Sequence, residues 1–104
     1  MKSLKIYRNE DIVRIVAFIP PGHYHVRLLI ETKDQIIVFQ EATVAGIVRA
    51  YIDVVTHPIR KAIELKSTLI EKRVRKHGYA EYQLIESNRS EEEVLKEIED
   101  IIKY

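Results

Sequence analysis

The chain has 104 residues, of which 46% are hydrophobic and 32% charged, with a formal net charge of +1 and no cysteine. That length suits one domain spanning residues 1–104 with its own core, and the steady recurrence of apolar residues excludes a disordered chain. The missing cysteines exclude disulfides, thiolate metal sites and a cysteine nucleophile, and no apolar run reaches the ~18 residues a membrane helix needs.

Met1–Lys5 lead straight into an alternating segment without the apolar stretch and cleavage site of a secretory leader, so a cytoplasmic location is expected. Sixteen isoleucines against seven leucines, with many Lys and Glu, make a composition shared by heat-adapted proteins and AT-rich genomes.

Lys2–Arg8 alternates and predicts a short edge strand. In Asp11–Ile19 one alternate set is wholly apolar (Val13, Ile15, Ala17, Ile19), as a strand requires. Pro20-Pro21-Gly22 predicts a type II turn, proline presetting φ and glycine accepting a positive one. A second strand over His23–Glu31 and a third over Gln35–Gln40, joined at Thr32-Lys33-Asp34, complete an antiparallel meander.

Helical periodicity begins near Ala42, with Val44, Val48, Tyr51, Ile52 and Val55 on one face, and Thr56-His57-Pro58 interrupts it. Ile59, Ile63, Ile70 and Val74 then fall on one helical arc opposite Lys61, Lys72, Arg75 and Lys76. Basic residues crowd the expected last turn before Gly78, so a helix is preferred over 59–77. A strand through Ile63, Leu65 and Leu69, paired with residues 79–86, is the alternative. Tyr79–Glu86 reads as a strand with Ala80, Tyr82 and Leu84 inward. The last helix opens on a Ser90-x-x-Glu93 capping box and carries an apolar stripe of Val94, Leu95, Ile98, Ile101 and Ile102. The predicted fold is α+β: an antiparallel sheet with two or three helices on one face, ordered β-β-β-α-α-β-α, or alternatively β-β-β-α-β-β-α.

Charge is distributed unevenly behind the near-zero sum. Residues 57–80 carry seven basic side chains (Arg60, Lys61, Lys66, Lys72, Arg73, Arg75, Lys76) against two acidic ones, whereas residues 81–104 carry three against eight. The run Lys72-Arg73-Val74-Arg75-Lys76-His77 has the charge density to follow a phosphate backbone or an acidic protein surface, with no aromatic residue inside it.

His23 and His25, at i and i+2 of the expected strand, would share a face with Arg27. With Cα atoms about 6.6 Å apart the two imidazoles can converge on a metal, but Glu31 lies about 20 Å away along the strand and Arg27 repels a cation. The stripe suits a phosphate or carboxylate better, with binding strengthening on acidification as the histidines charge. Pro20–His25 resembles a fragment of the cupin pattern. Its turn and His-x-His elements overlap, the following glutamate spacing is wrong, and the helical second half cannot supply a jelly roll, which excludes that family.

Ala42, Gly46 and Ala50 form a small-residue stripe suited to close packing in the core or at a homodimer seam. Nucleophile-elbow, Walker, dinucleotide and HExxH patterns are absent, and no metal or cofactor is implied.

The expected function is a non-enzymatic homodimeric binding module that contacts an anionic partner, nucleic acid above all. Its candidate residues are Arg60, Lys61, Lys72, Arg73, Arg75 and Lys76, with His23, His25 and Arg27 as a second anion surface. Two alternatives stand beside it: a metal- or anion-dependent enzyme centred on His23, His25 and Arg27, and a structural or regulatory homo-oligomer.

Overall fold

A computed structural model describes residues 2–103 and gives the order β-β-β-α-β-β-α. The strands are β1 (Ile12–Phe18), β2 (Arg27–Thr32), β3 (Ile36–Gln40), β4 (Leu65–Leu69) and β5 (Tyr82–Glu86); the helices are α1 (Glu41–Thr56) and α2 (Glu91–Ile102). They form two compact units, one running to Ala45 and one starting at Gly46.

In the first unit, β1, β2 and β3 make an antiparallel meander in that order. The rungs Ile15–Ile30–Ile37 and Ala17–Leu28–Phe39 lie on one face, and Val16–Leu29–Val38 and Arg14–Glu31–Ile36 on the other. Both faces are therefore largely apolar, with Arg14 Nε donating to Glu31 Oε1 at 2.8 Å across the second. The ladder slips between Ile12 and Arg14, leaving Val13 as the extra residue of a bulge on an outer strand.

The expected turn forms: His23 N–H donates to Pro20 C=O at 3.0 Å, and Gly22 has φ +79°. The strands are trimmed at their ends relative to those predicted, and two differences are larger. The second strand starts at Arg27 instead of His23, because the Val26 amide is taken by the Glu41 carboxylate (2.5 Å). Lys2–Arg8 forms no strand and ends in a single 3-10 turn at Asn9–Asp11, where Asp11 Oδ2 accepts from Arg8 N–H at 3.0 Å.

In the second unit, β4 and β5 pair as a separate antiparallel hairpin, Leu65 opposite Glu86 and Leu69 opposite Tyr82. This corrects both the single sheet and the helix expected over 59–77, in favour of the alternative order. The pairing of Leu65–Leu69 with Tyr82–Glu86 gives the main reason, and a helix would also set Lys72 against Arg75 and Lys76 at i+3 and i+4, like-charge contacts worth only about 0.2–0.5 kcal/mol each. In the hairpin these residues lie in an open loop, while Leu65–Leu69 satisfies its backbone through the ladder.

Helix α1 meets β5 at Gly46 and through Arg49, whose Nη2 donates to Leu84 C=O at 2.9 Å. The small-residue stripe thus serves packing within the unit at Gly46. Of the face marked by the helical periodicity, Val44 is half-buried, whereas Val48, Tyr51, Ile52 and Val55 are exposed, as is Ile47 beside them, with Tyr51 at 67%.

Helix α2 carries half of the expected capping box: Ser90 Oγ accepts from Glu93 N–H at 3.2 Å, while the Glu93 carboxylate accepts from the Ser90 hydroxyl instead of its amide. Arg89 bridges Glu64 (3.1 Å) and Glu97 (2.8 Å), and the Lys61 amide donates to Glu91 Oε1, so the helix start is tied to the approach to β4. Val94, 8% exposed, is the one large apolar side chain buried outright among the described residues. No helix among these residues is long and apolar enough to cross a membrane.

Candidate nucleic-acid interface

The loop joining β4 to β5 holds the densest positive charge. Its stem closes with Ile70 N–H donating to Glu81 C=O at 2.9 Å. A first turn follows, in which Val74 and Arg75 amides both donate to Glu71 C=O (3.1 and 3.0 Å). A second runs from Lys76 to Tyr79: Tyr79 N–H reaches Lys76 C=O at 3.1 Å with Gly78 at φ +83°, the third-position glycine of a type II turn. Gly78, which mimics a helix stop in the sequence, is a turn glycine here.

These turns gather Lys72, Arg75, Lys76, His77, Gly78 and Tyr79 around a concavity of about 290 Å³ with no acidic side chain in its lining. Arg73 is drawn off, its Nε donating to Glu71 Oε2 at 2.7 Å. Lys72, Arg75 and Lys76 have no carboxylate within ion-pair reach among the described residues. The aromatic residue that sequence reading did not connect with this run is Tyr79, whose ring centroid lies 5.8 Å from Lys76 Nζ. Its signal was the Gly78 turn, which folds residue 79 back onto residue 76.

Arg60 and Lys61 do not join this cluster. Arg60 is 27% exposed and lies between two carboxylates, its Nη1 3.2 Å from Asp53 Oδ2 and its Nη2 bonded to Glu86 Oε1. Its charge ties α1 to β5 and is spent inside the unit. Lys61 is exposed beside it.

In the first unit, His23 and His25 precede the strand, so they do not share a pleated face with Arg27. His25 Nδ1 lies 3.5 Å from Glu41 Oε1, and Arg27 Nη1 donates to His25 C=O at 3.2 Å. The donors of this segment do attract an anion, and that anion is Glu41. The Val26 N–H, followed by His25 and Arg27, holds the Glu41 carboxyl below its usual range. No group of three or more His, Asp or Glu side chains able to hold a metal is gathered among the described residues.

No protein-family model, curated protein or solved structure matches the chain.

Proposed function

We propose that this chain is a non-enzymatic cytoplasmic binding module that acts as a homodimer and contacts nucleic acid through the β4–β5 loop. One observation carries the reading: three lysine and arginine side chains without acidic partners among the described residues surround one concavity on a loop folded by two hydrogen-bonded turns. Such a cluster neutralises phosphates and releases their counterions, so affinity should fall with salt at a log–log slope of about −2 to −3 for three contacts. A mobility-shift titration at two salt concentrations tests it with duplex and single-stranded probes. The Lys72/Arg75/Lys76→Ala variant should lose the shift; no shift by the unmodified chain at low salt refutes the proposal.

Support for the homodimer comes from α1. Five exposed large side chains without a charge among them present on the order of 500 Å² of contiguous surface, at the upper end of what monomers leave open. A second copy of the same helix matches that stripe, and the pair would bury about 1,000 Å², the lower bound for a specific interface. The enzyme reading gains nothing comparable, since His25 and Arg27 are engaged by Glu41 and by the backbone.

A further inference from the structure

We infer that the partner of the β4–β5 loop is a single-stranded nucleic acid held by stacking of one base on Tyr79. The inference rests on the nucleic-acid reading of the loop and adds what kind of strand it takes. Tyr79 is 57% exposed although it sits among cations, and the hydrogen bond from its amide to Lys76 C=O (3.1 Å) sets its backbone within the turn. Gly78, at φ +83°, contributes no side chain next to the ring.

A duplex offers this loop phosphates, but its base faces are stacked away, so an exposed ring adds nothing to duplex affinity. A single strand can lay an unstacked base on the ring, a contact worth about 1–3 kcal/mol per base and tolerant of sequence. Lys76, 5.8 Å from the ring centroid, then stands beside the phosphates of the stacked nucleotide, with Lys72 and Arg75 lining the same concavity. At about 290 Å³ the concavity lies just below the usual range for small-ligand sites and has room for one base.

The test is fluorescence anisotropy of the whole chain at low salt with labelled 12-mers: oligo(dT), oligo(U), and a DNA duplex of equal length. Both single strands should bind at least about tenfold more tightly than the duplex. Tyr79→Leu should weaken single-strand binding about tenfold and leave duplex binding within about twofold, while Tyr79→Phe keeps both. Tyr24→Leu, which removes an exposed ring (91%) remote from the basic run in sequence, should change neither. Circular dichroism of each variant verifies that the fold is intact. Equal or tighter duplex binding, or a Tyr79→Leu loss shared by both probes, overturns the single-strand inference and leaves the nucleic-acid reading standing. Failure of every probe to bind overturns both.

Discussion

A Cβ built on Gly46 would stand 2.7 Å from Cδ1 of Leu84, the end of a side chain that would have to shift, so the missing side chain at 46 lets α1 lie close against β5. Glycine inside a helix costs about 1 kcal/mol relative to alanine, and overpacking costs roughly 1–3 kcal/mol. Gly46→Ala alone should therefore destabilise the protein by up to about 2 kcal/mol. In a Leu84→Ala background the obstruction is gone, and the same change should stabilise by about 1 kcal/mol. Urea unfolding of the four proteins checks this; the same sign in both backgrounds would contradict the packing described.

Acid sensitivity follows from three carboxylates held below their ordinary range: Asp34 by Lys5, Glu41 by the Val26 amide, and Glu97 by Arg89. A carboxyl with a lowered folded-state pKa leaves more protons on the unfolded chain. It therefore adds stability above the usual carboxylate pKa and loses it as pH falls through the lowered value. Glu41→Gln keeps an acceptor for Val26 but cannot ionise. Thermal unfolding against pH should show the variant less stable than the unmodified chain near neutrality, with the gap closing below about pH 4. A gap independent of pH would show that the charge on Glu41 does not matter.

Arg60 and the loop cations should separate into two phenotypes. Replacing Arg60 by Met leaves Asp53 and Glu86 without their shared cation and should cost about 1–3 kcal/mol, with oligonucleotide affinity kept at temperatures where the protein is folded. Lys72/Lys76→Ala should do the reverse, since both residues are exposed and unpaired. Paired melting and binding measurements decide it, and a binding loss in folded Arg60→Met would return that residue to the interface.

The α1 stripe predicts association that survives salt. Sedimentation velocity in the micromolar range should show a dimer, and Ile52→Glu should give a monomer without loss of helical signal, because residue 52 is exposed within its own chain. A monomer for the unmodified chain at all concentrations refutes the homodimer.

Local chemistry made much of this fold legible in the sequence. The Pro20–Gly22 turn and the Ser90 cap each depend on a few adjacent residues, and period-two alternation marked the meander. Residues 59–77 were misread because Ile59, Ile63, Ile70 and Val74 happen to share a helical arc, while Gly78 suits a helix stop and a type II turn equally. The choice lay in a ladder to Tyr82–Glu86, a pairing between distant segments that periodicity cannot register. The site was half legible for the same reason. The density of charge at 72–76 is a property of the sequence, whereas the capture of Arg60 by Asp53 and Glu86 and the return of Tyr79 onto Lys76 are products of folding.

The bulge at Val13 has a bearing on how this protein survives in crowded solution. A long, β-branched outer strand such as Ile12–Phe18 would otherwise offer a straight row of amides and carbonyls to any passing extended chain. The extra residue breaks that row near one end and sharpens the local twist. The bulge thus leaves a neighbouring chain only the shorter regular stretch from Arg14 to Phe18 to pair with.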